Sequence, residues 1–251
     1  MGGCGRRSAA GMATRGLWAL GLTVWLGLPG LTQAADPKMV QIGVTKIVSH
    51  AALDAVEKGF EAALASAGFK EGVNVTYNRQ NAQGDVAKAA SIAQKFSSDK
   101  LDLVHSIATP TTQAVLKVIT RTPVVFSAIT DPLTAGIVPA NSAPGKKSGT
   151  NVTGTSDPWP VFLQMETYTK FVPKAKKWGT IYNPAEANSV THVKAMRAAA
   201  KALGLELVEV TVANSAEVGA ASQSLVGKVQ AITITSDNTT VANFEAIAAV
   251  C

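Results

Sequence analysis

NVTGTSD, residues 151–157, divides the sequence into two halves that share one pattern. Before it, from Met39 to Ser127, short apolar runs alternate with segments whose apolar residues recur at helical spacing. After it, from Trp159, the alternation starts again. Near-continuous apolar strands between helices imply parallel sheets covered on both faces. The expected fold is α/β: two doubly wound, Rossmann-like lobes with a ligand cleft between them, the second lobe incomplete. The expected boundaries are 35–150 for the first lobe, 151–158 for the crossover or hinge, and 159–251 for the second lobe.

In the first half, strands are expected at Met39–Thr45, Val73–Tyr77, Leu101–Ala108 and Val124–Ser127. A helix over Ala51–Ala67 ends at Gly68, Asp85 caps a second, and Pro110 fits the first turn of a third with Thr109 as its N-cap. In the second half, helices are expected over Pro160–Phe171, Glu186–Leu203, Ala216–Val226 and Thr239–Val250. Strands are expected at Trp178–Tyr182, Leu205–Val212 and Ala231–Thr235. The sequence stops at Cys251 directly after a helix, with three strands in its second half where a lobe of this type carries roughly five. A truncated chain is expected from that ending.

The first 34 residues read as a cleavable export signal. Arg6, Arg7 and Arg15 precede an uncharged apolar run from Leu17 to Leu28, and Thr32-Gln33-Ala34 sets small residues at −3 and −1 of a cleavage site. Met12 is an alternative start. The expected location is periplasmic. Of the formal charge of +6, three units are those arginines, which leaves +3 for the remainder. Lysines and arginines are scattered, so nucleic acid is not an expected partner. Cys4 and Cys251 offer the chain no internal disulfide once the signal is removed.

Ligands of open α/β sheets bind beyond the carboxyl ends of the strands. The candidate ligand-binding residues there are Thr45, Thr109, Thr111, Thr130, Asp131, Asp157, Asn183, Glu186, Asn188, Ser189, Asp237 and Asn238. Hydroxyls and a helix N-terminus suit a carboxylate, with Thr109, Thr111 and Ser189 foremost. Asp157, Glu186 or Asp237 suits an amine. The set therefore fits a small zwitterion, and Trp159, Tyr182 and Phe126 are candidates to face an aromatic side chain. Each polar residue has a plainer role as a helix cap or turn former; clustering at both facing edges favours binding. No nucleophile elbow, zinc motif, Walker loop or dinucleotide fingerprint occurs, so no enzyme, cofactor or metal is expected. His105 is read as a packed core residue, His192 as a surface residue, and His50 as a helix-start residue able to reach the cleft.

The stretches GVTKIVSHAALDAVEKGF, QNAQGD, SIATPTTQA, TPVVFSAITDPLTAGIV, NVTGTSD, IYNPAEANS and ITITSDNTT occur in this order. Together they resemble the ABC-transporter substrate-binding proteins of the tryptophan/tyrosine-binding type, from about Val40 onward. The resemblance implies a type I periplasmic-binding-protein fold, no cofactor, a monomer, an aromatic amino acid or related solute as cargo, and docking at an ABC permease with its ATPase. A sensor or chemoreceptor input domain shares the fold, and an exported α/β enzyme is the third reading.

Overall fold

In the computed structural model, residues 39–251 are described; the expected export signal lies outside them. The apolar runs form two parallel sheets. The first holds β1 (Val40–Lys46), β2 (Val75–Asn81), β3 (Leu103–Ile107), β4 (Val124–Ile129) and β5 (Val152–Ser156) in the order β2-β1-β3-β4-β5. The second holds β6 (Lys177–Tyr182), β7 (Glu206–Thr211) and β8 (Ala231–Ile232) in the order β7-β6-β8. The passage NVTGTSD is thus both the crossover and the fifth strand of the first sheet.

Right-handed crossovers put α1 (Ala51–Ser66) on one face of the first sheet and α2 (Val86–Ser98) with α3 (Thr109–Leu116) on the other. Val44, Phe96, Val104, Val115 and Val124 fill the core between these layers. On the second sheet, Ile181, Val218 and Leu225 pack beneath α6 (Val218–Leu225). Val161, Met165 and Met196 pack where α4 (Val161–Phe171) meets α5 (Ala187–Leu203). The reversal of strand order at β1/β3, and again at β6/β8, opens a crevice beyond the carboxyl edge of each sheet. No helix of the described residues is long and apolar enough to cross a membrane.

Three elements depart from expectation. β2 starts at Val75, because Lys70–Asn74 folds into a turn with Gly72 at φ 76°, and it runs on to Asn81 through polar residues. As an edge strand it needs little apolar surface, and Arg79 there pairs with Glu61 and Glu71. β8 stops after Ile232: its last bond to β6 is Thr233 N–H on Gly179 O, and further on the Ser236 N–H goes to the His192 side chain and that of Asp237 to Thr235 Oγ1. The expected final helix is two short ones, α7 (Asn238–Val241) and α8 (Phe244–Ala248). They part at Asn243, whose Nδ2 donates to the Thr239 carbonyl.

Two core positions yield predictions. Gly154 lies so close to β4 that a Cβ would sit 2.2 Å from the Phe126 carbonyl oxygen and 2.5 Å from Phe126 Cγ. Gly154→Ala is expected to lower stability by about 2 kcal/mol through overpacking, read by denaturant unfolding beside Thr153→Ala at the exposed neighbour. Equal midpoints for the two variants would contradict the close β4–β5 packing.

His105, as expected, is a core residue: its ring stacks on Phe60 at 3.9 Å and Nε2 meets Ser127 Oγ at 3.0 Å. Burial pushes its pKa down to about 4 from 6.5. The unfolded chain then binds the proton first as pH falls, so stability present above pH 6.5 is lost between about 6.5 and 4. The loss amounts to about 3 kcal/mol at most, at roughly 1.4 kcal/mol per unit. His105→Gln should remove that contribution and make the slope of stability against pH more negative between about 4 and 6.5; an unchanged slope would contradict the burial.

Candidate functional site

At the first sheet's switch point the register sets Thr45 beside Ser106 and Lys46 beside Ile107. Thr45 is fully buried, yet its hydroxyl has no partner. Directly after β3 the chain turns into α3. Thr109 was the expected N-cap; the N-cap is instead Ala108, held at φ 77° with its N–H donating to Ser127 O. Alanine has no side chain to cap with, and Pro110 has no N–H, so the first turn of α3 is left uncapped. Thr109 and Thr111 are buried in that turn and their hydroxyls also lack partners. Thr112, one residue on, is by contrast satisfied by Ala108 O and Ser106 Oγ.

His50 is the N-cap residue of α1 but makes no capping bond. Its Nδ1 is buried without a partner. Burial holds the imidazole below the usual histidine range.

On the second lobe the carboxylates are already engaged. Glu186 accepts from the backbone N–H groups of Asn238 at 3.0 Å and Thr239 at 3.1 Å, from Thr239 Oγ1 at 2.9 Å, and from the Asn238 and Asn188 side-chain amides. It is therefore the clamp on the N-terminus of α7. Asp237 accepts from Asn183 N, Ser189 Oγ and Thr240 N at 2.6–2.7 Å. Burial and the neighbouring Glu186 charge still push Asp237 up to about 6. Asn183 is likewise tied to Ala185, Ala213 and Thr239. Asn188 donates to Ser236 O at 2.9 Å, and its Oδ1 is buried with no partner.

Among the described residues nine buried side-chain polar atoms have no partner: five belong to Thr45, His50, Thr109, Thr111 and Asn188, and the other four are His105 Nδ1, Ser142 Oγ, Thr180 Oγ1 and His192 Nε2. Of the five, the first four ring the β1/β3 switch point. The fifth belongs to the β6/β8 side, which the Thr130–Ser236 contact joins to the first lobe. Buried polar atoms are ordinarily paired, so a cluster of orphans marks a place where something else supplies the partner. His50, read from sequence as a helix-start residue able to reach the cleft, lies at that helix start with its Nδ1 unpartnered.

The remaining candidates fall elsewhere. Asp131 caps its own turn, accepting from Leu133 N, Thr134 N and Thr134 Oγ1, which lowers its pKa. Asp157 is exposed and lies near His192. Thr130 Oγ1 meets Ser236 Oγ across the lobes at 3.1 Å. His192, expected at the surface, is 3% exposed: its ring tilts against Trp159 at 4.9 Å and Nδ1 accepts from Ser236 N. Phe126 is buried in the first core, and Tyr182 is buried with its hydroxyl on Glu209. Trp159 lines an open groove of about 1080 Å³ beside β5, with Thr130, Lys147, Thr155 and His192.

Residues 41–251 match the family model for the ABC transporter substrate binding protein. The chain belongs to this family. It is 39% identical over 213 residues to the tyrosine-binding protein of Clostridioides difficile (strain R20291), covering 85% of this chain and 61% of that one. The chain thus spans about three-fifths of that relative's length. Among solved structures, the ABC domain in complex with L-Trp from Streptococcus pneumonia matches with a TM-score of 0.79 at 34% identity, over 85% of this chain and 70% of that one. A ligand-free, open structure of a substrate binding protein from Clostridium difficile matches with a TM-score of 0.56 at 39% identity, over 84% and 70%. Family membership carries the type I periplasmic-binding fold with it.

Proposed function

We propose that the chain is the solute receptor of an ABC importer. It closes its lobes over an aromatic amino acid outside the cytoplasm and delivers it, unaltered, to a membrane permease with its ATPase. The observation that carries this reading is the set of five orphaned polar atoms on residues at or following the carboxyl ends of the strands in the two sheets. A zwitterion has the matching groups. Its carboxylate fits the uncapped N-terminus of α3 and the hydroxyls of Thr109 and Thr111, where the helix dipole favours negative charge. Its ammonium fits Asn188 Oδ1 and Thr45 Oγ1, since Glu186 and Asp237 are spent inside the second lobe.

The relatives support the cargo class, one being named for tyrosine and one solved with L-Trp. The lobe arrangement supports closure: it lies nearer the tryptophan complex than the open, ligand-free protein, although the latter is closer in sequence. Thermal unfolding with L-tryptophan, L-tyrosine and L-alanine tests the reading. Ligand at a hundred times its dissociation constant stabilises by about 2.7 kcal/mol, so tryptophan or tyrosine should raise the melting temperature by several degrees and the amide of either should not. If no free amino acid shifts the transition, the reading is wrong.

A further inference from the structure

We propose that Thr130, Ser236 and His192 form a latch that holds the closed lobes together and sets how long a bound solute stays, without touching the solute. The inference rests on the receptor reading above. The bridge itself is the Thr130 Oγ1–Ser236 Oγ contact of 3.1 Å, between the end of β4 in one sheet and the residues following β8 in the other.

Each half of the bridge is held in place by its own lobe before the two meet. On the first lobe, the β4–β5 register slips between Phe126 and Ile129. Ala128 sits there at φ 56°, a left-handed conformation that a non-glycine residue adopts only under constraint. A bulge of this kind re-aims the strand end, and Asp157 N–H closes it by donating to Ile129 O at 2.7 Å. Thr130 is the next residue, 9% exposed.

On the second lobe, α5 grips Ser236 from three atoms. Its backbone N–H donates to His192 Nδ1 at 2.9 Å, its hydroxyl lies 2.8 Å from the same nitrogen, and its carbonyl accepts from Asn188 Nδ2 at 2.9 Å. Accepting from an N–H leaves the imidazole proton on Nε2. The Ser236 hydroxyl then donates to Nδ1 and accepts from Thr130, so the three groups make one directional chain. A serine clamped through its N–H, O–H and C=O is not free to turn toward a solute. The Thr130 hydroxyl is spent across the gap in the same way. A bond made only when the lobes meet slows reopening and leaves encounter unaffected.

Stopped-flow release of L-tryptophan tests the latch. Thr130→Val and Ser236→Ala should each speed release about 5-fold, the worth of one such bond, with association rates within about 2-fold of wild type. The double variant should release no faster than either single one, because both remove the same bond. Thr130→Ser should restore slow release. Multiplying effects, or unchanged release in both single variants, would overturn the proposal.

A solute-free arm separates this from failure of the receptor reading. With the two native cysteines replaced by serine, spin labels on Lys58→Cys and Lys201→Cys report the interlobe distance. The short-distance population should fall in Thr130→Val whether or not an amino acid binds. An unchanged distribution would remove the latch while leaving receptor function untouched.

Discussion

Glu186→Ala is expected to lower stability by about 4 kcal/mol, because it takes a buried carboxylate away from five hydrogen-bond donors of its own lobe. The wild-type carboxylate satisfies two backbone N–H groups at the start of α7, a threonine hydroxyl and two side-chain amides, all within the second lobe. Alanine leaves the Asn238 and Thr239 donors buried without this acceptor, each a loss of roughly 1–3 kcal/mol, while the Asn188 amide keeps its bond to Ser236 O. Part of that loss is offset, because removing the Glu186 charge relieves its repulsion of Asp237. Glu186→Gln separates the two effects. It keeps the volume, and Asp237 should then titrate below about 6.

The sign of the pH dependence follows. A carboxyl raised in the folded state stabilises the fold when protonated, so the Asp237 contribution is lost as pH rises from 3.8 to about 6. In Glu186→Gln that contribution should shrink, so the net slope, to which His105 contributes with the opposite sign, should turn more positive. Denaturant titrations across this window measure both quantities. A stability for Glu186→Ala within about 1 kcal/mol of wild type would contradict the clamp, since each orphaned buried donor alone exceeds that.

The paired change Thr109→Val with Thr111→Val is expected to weaken L-tryptophan binding by about 100-fold while raising stability slightly. Both hydroxyls are buried with no partner in the chain, so isosteric valines relieve two desolvated groups in the empty protein. In the proposed complex the same hydroxyls would be charge-assisted donors to a carboxylate, worth about 1.5 kcal/mol or more each. Opposite signs for affinity and stability are the signature of residues kept for a ligand. Calorimetric titration beside thermal unfolding reads both. Lost affinity accompanied by lost stability would make the threonines structural instead.

Much of the fold was legible because apolar runs such as LVHSI (Leu103–Ile107) and VVFS (Val124–Ser127) are bounded by turn formers and separated by helical spacing. β2 was shifted in the reading because an edge strand tolerates YNRQN, where no alternation survives. His192 carries a burial signal in the sequence despite its polar type: with Ser189, Val193, Met196 and Ala200 it falls on one helical stripe, and all five are buried. The carboxylates show the opposite difficulty. Glu186 and Asp237 sit where a ligand contact belongs, but their partners lie about fifty residues apart in sequence, so whether a solute or the chain itself satisfies them depends on pairings that local pattern does not encode.

A crystal structure of the chain grown with L-tryptophan tests the central claim most directly. The account predicts density between the lobes, with the carboxylate in hydrogen-bonding reach of the Thr109 and Thr111 hydroxyls and the ammonium beside Asn188. Tryptophan seated only in the groove along β5, with the five orphaned atoms still unpaired, would contradict it.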